Sequence, residues 1–140
     1  MPIPRPSRAA LVAALVFAVL AGAAAIAWEQ SDRQVSDVGL YRVYGERIAH
    51  GEIPYRDFRV EYPPGALVVF ATPALVTGDA TGYAIALGAL LAVVGALGLL
   101  LVDVALTLLG RDPRDRLVIL AALAVSPVVL GALLLSRFDL

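Results

Sequence analysis

Residues 80–102 decide the fold, because this stretch, ATGYAIALGALLAVVGALGLLLV, runs for 23 residues without a charged side chain. An α-helix crosses a hydrocarbon core of about 30 Å with roughly 20 apolar residues. The sequence therefore predicts a transmembrane helix over residues 82–109. Small residues recur along it at intervals of four: Ala84, Gly88, Ala92 and Ala96. Such a stripe lets helices approach closely in lipid, so we expect it to be a packing face.

Two further charge-free windows, residues 9–28 and 117–136, lie before and after this helix and are 20 residues long each. The whole chain is 60% hydrophobic and 16% charged, whereas a soluble domain is usually about 45–50% apolar and about 25% charged. We therefore predict an all-α integral membrane protein, a single membrane domain with three transmembrane helices. The first window has an alternative interpretation as a cleaved secretory signal, although its length favours an anchor.

A fourth window, residues 62–78, is interrupted by prolines and leaves too short an apolar helix, 64–77, to cross a membrane. Arg5 and Arg8 precede the first span, and three arginines lie in the connection 110–116. Because arginine-rich flanks stay cytoplasmic, an even number of crossings should separate these two regions. We therefore expect 64–77 to be an interfacial or re-entrant helix on the outer side of a multi-pass plasma-membrane protein, with a cytoplasmic N-terminus.

Charge and composition exclude other classes. The 11 arginines nearly balance 12 acidic residues, and cysteine and lysine are absent, so nothing supports a nucleic-acid partner or a disulfide framework. Asp103 lies within the second predicted span. An acid inside a membrane is a functional candidate by default, but this helix exceeds the required length, so we favour a position at the inner headgroup level.

The polar stretch 29–62 is the candidate functional loop, since its 34 residues hold 12 of the 23 charges and four of the five tyrosines. Long loops are often functional. We predict a short helix from Asp37 to Ala49, ended by Gly51, then an extended segment 53–55 before proline-rich residues that lead into the outer helix at Pro64. The face of the short helix directed at the core or membrane should carry Val38, Tyr41, Gly45 and Ile48.

Asp37 is the residue of greatest interest in this loop. A partly desolvated carboxylate can serve as a general base, but Ser36 or Asp37 would equally cap the short helix, and spacing alone favours the cap. The loop arginines could bind phosphate, or they could pair with neighbouring acids. These arginines are Arg42, Arg47, Arg56 and Arg59, and the acids are Glu46, Glu52, Asp57 and Glu61. His50 is expected to be a turn residue, because no second histidine is present to build a metal site.

Three pieces of this loop occur in an order that resembles a known family. They are Asp37-Val-Gly-Leu-Tyr41, Gly51-Glu-Ile-Pro-Tyr55-Arg-Asp57 and Glu61-Tyr-Pro-Pro-Gly65, followed by an apolar helix. Together they look like the first outer loop of polytopic C-type glycosyltransferases, most closely glycosyltransferase family 87, the bacterial polyprenol-phosphate-mannose-dependent mannosyltransferases and their relatives. The resemblance covers residues 1 to about 80. Because family members are longer, we expect this chain to be the N-terminal part of a multi-span protein.

The resemblance implies a hexosyltransferase that moves a sugar from a polyprenyl-phosphate donor to a hydroxyl of a lipid or glycan acceptor outside the cytoplasm. Asp37 matches the acid that deprotonates the acceptor. The implied substrate-binding residues are Arg42, Tyr55, Arg56, Arg59, Glu61, Tyr62 and Arg137, with the arginines stabilising the phosphate leaving group. The scheme requires no cofactor or metal. A non-catalytic membrane scaffold or assembly subunit is the alternative. A transporter fragment is less favoured, because the predicted spans 9–28 and 117–136 are uniformly apolar and would not line a polar path.

Overall fold

The computed structural model describes residues 4–29 and 37–130 of the chain. The predicted all-α class is confirmed over these residues, where the sole β-type pairing is an isolated bridge between Pro54 and Phe58. The helices in chain order are α1 (Arg8–Glu29), α2 (Val38–Ala49), α3 (Pro64–Ala74), α4 (Ala80–Leu108), α5 (Pro113–Ala124) and α6 (Ser126–Leu130).

Helix α4 is the backbone of the fold. It begins where the Asp79 side chain accepts a hydrogen bond from the Gly82 N–H at 2.9 Å. After its last residue, Leu108, and the C-cap Leu109, Gly110 adopts the left-handed conformation with φ 68°. Its 29 residues extend about 43 Å at 1.5 Å per residue. Of the described helices, α4 is the one that is long and apolar enough to cross a membrane. Three transmembrane helices remain a prediction.

Helices α1 and α5 pack against α4 from Ala92 towards its C-terminal end, and we call this assembly the aliphatic bundle. Its buried core is Ala10, Ala13, Ala14, Phe17, Ala21, Ala92, Leu99, Leu120 and Ala124. Two residues of the predicted small-residue stripe, Ala92 and Ala96, lie at this interface, which confirms their packing role. Gly95 matters as well, because a Cβ there would clash with the ring of Phe17.

The predicted helix 117–136 differs in the structure. Helix α5 already begins at Pro113, and it stops at Ala124, with Val125 as its C-cap. Helix α6 then runs from Ser126 to Leu130, and residues 131–140 lie outside the described part. The break has a physical cause, because Pro127 lacks an N–H and its ring crowds the carbonyl four residues earlier.

Asp103 is fully buried and holds together the end of the bundle at which α1 and α5 begin. The backbone N–H of Ser7 donates to its Oδ2 at 2.7 Å. The Arg116 guanidinium donates to its Oδ1 through Nε at 3.0 Å and Nη2 at 2.5 Å. Asp103 thus joins α4 to the starts of α1 and α5, whereas the sequence alone indicated a headgroup-level acid without naming a partner.

Candidate functional site

The candidate site is built on α2, residues 50–63 and α3, which pack together on the N-terminal half of α4. We call this assembly the aromatic unit. Helix α3 is 11 residues long, about half of the roughly 20 residues needed to cross a membrane. It begins with Pro64 in its first turn, as predicted, and ends at Ala74 rather than at residue 77. An interfacial or re-entrant position for α3 stays a prediction.

Helix α2 matches the predicted boundaries and the predicted buried face. Its buried residues are Val38, Tyr41, Tyr44 and Gly45, and Ile48 is partly buried against the same core. At its end, Gly51 adopts φ 87°, which a residue with a side chain rarely adopts. The N–H groups of Gly51 and Glu52 bond to the carbonyls of Ile48 and Arg47 at 2.9 and 3.0 Å, which is the Schellman arrangement that closes helices. His50 is the exposed C-cap residue, as expected for a turn.

Tyrosine and phenylalanine rings form the core of the aromatic unit. Tyr41 stacks on Phe70 with ring centroids 4.3 Å apart and planes 6° from parallel. Tyr62 meets both rings edge-on, at 5.4 Å from Tyr41 and 5.3 Å from Phe70. Tyr44 packs beside Phe58 at 5.9 Å. Edge-on and stacked ring pairs are each worth about 0.5–1.5 kcal/mol beyond the area that they bury, so this core fixes α2 on α3.

Backbone contact and one buried hydroxyl tighten the same interface. Gly45 approaches the Phe70 carbonyl so closely that a Cβ at this position would clash with its oxygen. That oxygen also accepts a hydrogen bond from the buried Tyr83 hydroxyl at 3.0 Å. Tyr83 belongs to α4, so the bond attaches α3 to the long helix. The Gly45 contact therefore fixes α2 on α3, and the Tyr83 hydrogen bond fixes α3 on α4.

Asp57 organises the turn that follows α2. Its carboxylate accepts the Ile53 N–H at 2.8 Å and two N–H groups of Arg56 at 2.8 and 2.9 Å. The Arg56 bonds first, and the Ile53 N–H second, lower the pKa of Asp57 below its usual value because both favour the charged carboxylate. Asp57 therefore stabilises the structure of the loop. The sequence alone indicated Asp57 only as a possible partner of an arginine.

The segment 53–55 corrects the prediction of an extended conformation. Tyr55 lies in the left-handed region with φ 63°, and its N–H donates to the Phe58 carbonyl at 3.0 Å. Its hydroxyl donates to the Tyr62 carbonyl at 2.5 Å. The restriction before proline applies only to the preceding residue, so Tyr55 is free to turn. Two predicted substrate-binding residues, Tyr55 and Tyr62, are thereby brought into direct contact.

Asp37 lies at the N-cap position of α2 and is half-buried. Its side chain makes no capping hydrogen bond, although its carbonyl accepts the Tyr41 N–H at 2.9 Å. The capping interpretation that spacing favoured is therefore wrong for this carboxylate, and Ser36, the other candidate cap, lies outside the described residues. Asp37 keeps its place at the edge of the aromatic unit without a capping role.

Three of the four loop arginines pair with acids, which was the alternative to phosphate binding. Arg42 bonds Glu46 at 2.6 Å, Arg47 bonds Glu52 at 2.7 Å, and Arg56 bonds Asp57 at 2.8 Å. The sequence did not indicate that Arg47 also lies over the ring of Phe58, with its guanidinium carbon 4.5 Å from the ring centre. A cation over an aromatic face is a stabilising contact, but the sequence alone does not indicate which ring Arg47 would meet.

Arg59 differs from these three arginines. It is exposed and makes no hydrogen bond or ion pair with any residue that the structure describes, and the same holds for Glu61. Arg137 lies outside the described residues. Of the predicted phosphate-binding arginines within the described part, Arg59 is therefore the one open to an anion without breaking a pair.

A groove of about 450 Å³ runs along α3 beside the turn at Tyr55. Its lining includes Ile48, Pro54, Tyr55, Leu67, Val68 and Leu75. Val68 and Leu75 are each 69% exposed, so the groove is an open apolar surface. Within residues 4–29 and 37–130, no group of three or more His, Cys, Asp or Glu side chains is placed to hold a metal ion.

Comparison with known proteins adds no relative: no protein-family model, curated protein or solved structure matches this chain.

Proposed function

We propose that the chain is the N-terminal part of a membrane-embedded glycosyltransferase, a hexosyltransferase that uses a polyprenyl-phosphate donor. The proposal rests on the resemblance of three ordered motifs to the first outer loop of glycosyltransferase family 87. The observation that supports it most is the position of Asp37. Asp37 is half-buried at the N-cap position of α2, directly before Val38 of the aromatic core.

In the proposed reaction Asp37 accepts the proton of the acceptor hydroxyl as that oxygen attacks the sugar carbon bonded to the donor phosphate. The bond between that carbon and the phosphate oxygen then breaks, and polyprenyl phosphate leaves with the bonding electrons. Positive groups lower the energy of such a leaving anion. Arg59 is open to this role, whereas Arg42 and Arg56 would first exchange the carboxylates of Glu46 and Asp57 for phosphate.

The test is Asp37→Asn in the full-length protein, assayed in membranes with radiolabelled polyprenyl-phosphate mannose. We expect loss of about 10²–10⁴-fold in transfer, the range that a general base contributes. The matched control is Asp112→Asn, because Asp112 is also an N-cap residue without a side-chain cap bond and lies at the start of α5. The control should transfer at the wild-type rate. Wild-type transfer by the Asp37 variant would exclude Asp37 as the base.

A non-catalytic scaffold is the second candidate, and the three ion pairs of the loop favour it, because they satisfy Arg42, Arg47 and Arg56 within the protein. Arg59→Gln separates the two functions. A transferase should need a several-fold higher donor concentration, since one phosphate contact is lost. A scaffold shows no transfer in either the wild type or the variant.

A further inference from the structure

A second groove lies in the aliphatic bundle, between α1 and α5. Its volume is about 420 Å³, and its lining is almost entirely apolar. The residues that define it are Val12, Val16, Leu117, Leu120, Ala121 and, as the one charged residue, Arg8. Both helices begin at the same end of the bundle, because Ser7 and Arg116 bind the same carboxylate of Asp103. The groove therefore has one charged end and continues between apolar helix faces.

Two arginines mark the charged end. Arg8 lines the groove, and Arg114 precedes the lining residue Leu117 by about one helical turn, so it lies just beyond the charged end. Both arginines are exposed, and neither forms a hydrogen bond or ion pair with any residue of the described part. Arg116 is different, because Asp103 already binds it.

The other exposed charges at this end cancel, so Arg8 and Arg114 supply a positive excess. Arg5 and Arg111 are exposed there, against the two exposed acids Asp112 and Asp115. Helices α1 and α5 both begin at this end, so the positive ends of their dipoles add to the positive potential. An apolar groove that opens on this charge is complementary to a molecule with one anionic end and a long hydrocarbon chain.

We propose that this groove binds one anionic phospholipid, with its phosphate between Arg8 and Arg114 and an acyl chain along Val12, Val16 and Ala121. Basic pockets between membrane helices bind anionic headgroups in this way. The site lies at the C-terminal end of α4, whereas the aromatic unit packs on the N-terminal half of the same helix. The inference does not depend on sugar transfer, since it uses none of the residues proposed for that reaction.

The first test measures headgroup selectivity. The purified full chain in detergent is titrated with phosphatidylglycerol or phosphatidylcholine of identical acyl chains, and bound lipid is counted by native mass spectrometry. We expect the wild type to prefer phosphatidylglycerol about tenfold or more, and the double variant Arg8→Gln/Arg114→Gln to lose that preference, because each arginine near a phosphate contributes several-fold in affinity. Equal binding of both lipids by the wild type would overturn the proposal.

The matched control is Arg5→Gln/Arg111→Gln, which removes the same charge from the same end of the bundle and leaves the groove-lining positions intact. We expect less than a threefold change in this control. If both double variants lose selectivity equally, the attraction is diffuse and no groove site exists.

The second test fills the groove. Ala121→Trp places a ring among the lining residues, while Ala122→Trp places the same ring on an exposed neighbour outside the lining. Lipid should be displaced by the first variant and retained by the second. Retention by both would contradict the site. Because the chain has no cysteine, Leu117→Cys provides a clean check for a second copy as the occupant, and efficient disulfide formation between copies would replace the lipid proposal.

Discussion

The two halves of this molecule share one helix but are held together by different means. In the aliphatic bundle, α1 and α5 meet α4 through alanine, leucine and one phenylalanine ring, and the buried Asp103–Arg116 ion pair lies at one end. In the aromatic unit, packed rings hold α2 and the following turn on α3, and the buried Tyr83 hydroxyl joins α3 to α4. Its ion pairs connect residues that are close in sequence within α2 and the turn. In the proposed membrane location, lipid gives helices no hydrophobic driving force to associate, so the small residues of the bundle suit close packing. The tyrosines of the aromatic unit combine an apolar ring with a polar hydroxyl, which suits the proposed position at the membrane surface.

The largest effect should come from the Asp103–Arg116 ion pair, which is the most buried ion pair of the part of the chain that the structure describes. Arg116→Gln leaves the Asp103 carboxylate buried without its cation, and losing one partner of a buried pair costs roughly 3–5 kcal/mol. Arg116 retains 17% of its side-chain exposure, so we expect the lower end of that range in the free energy of unfolding. Thermal unfolding in detergent measures it, with exposed Arg111→Gln as the control near zero.

The double variant Asp103→Leu/Arg116→Leu sharpens this result. Removing both partners eliminates the uncompensated charge, so it should recover most of the stability lost in Arg116→Gln. If the single variant unfolds at the wild-type temperature, the stability of the bundle does not depend on this pair. The buried ion pair would then not distinguish how the two halves are stabilised.

The second prediction tests the backbone contact in the aromatic unit. Gly45→Ala drives a methyl group into the Phe70 carbonyl, and we expect a loss of about 1–3 kcal/mol from overpacking. Gly39→Ala on the same helix meets nothing within 4 Å and should stabilise the protein by about 0.5–1 kcal/mol, because alanine favours helix over glycine. Opposite signs in thermal unfolding support the close approach, and equal shifts contradict it.

The third prediction makes the equivalent change in the bundle. Gly95→Ala meets the ring of Phe17 rather than a backbone atom. A ring can rotate, whereas a helix carbonyl cannot, so the cost should stay below that of Gly45→Ala, at about 1 kcal/mol. Gly98→Ala, with nothing within 4 Å, is its control. A larger loss at Gly95 than at Gly45 would reverse the comparison and make the bundle the more tightly packed half.

Hydropathy and helix signals in the sequence predicted the parts of the fold that follow local rules. The long helix α4, the bounds of α2 with Gly51 at its end, and the start of α3 at Pro64 are confirmed. The break before Pro127 was not predicted. The uniformly apolar composition of residues 117–136 indicated one continuous helix, although proline lacks the N–H that such a helix needs.

In the candidate site, pairing by proximity along the chain was predictable, and contacts across the fold were not. The bonds of Arg42 to Glu46 and of Arg56 to Asp57 follow from short spacing. The left-handed Tyr55 and the carboxylate of Asp103 depend on partners that only folding brings together. Asp37 falls between these cases, since its N-cap position was predictable and the absence of a cap bond was not.

The smallest expected effect is a pH dependence confined to the turn of the aromatic unit. Because the Arg56 bonds and the Ile53 N–H lower the folded-state pKa of Asp57, the turn is most stable above the unfolded-state pKa near 4 and loses this contribution as the pH falls through the folded-state value. Carbon-13 NMR of the Asp57 carboxyl should therefore show a midpoint below the ordinary 3.8. Arg56→Gln should raise that midpoint, since Arg56 is the main cause, and Arg59→Gln should leave it unchanged. A midpoint that does not respond to Arg56 would mean that the backbone N–H alone positions the carboxylate, and the aromatic unit would then owe its turn to hydrogen bonding rather than to charge.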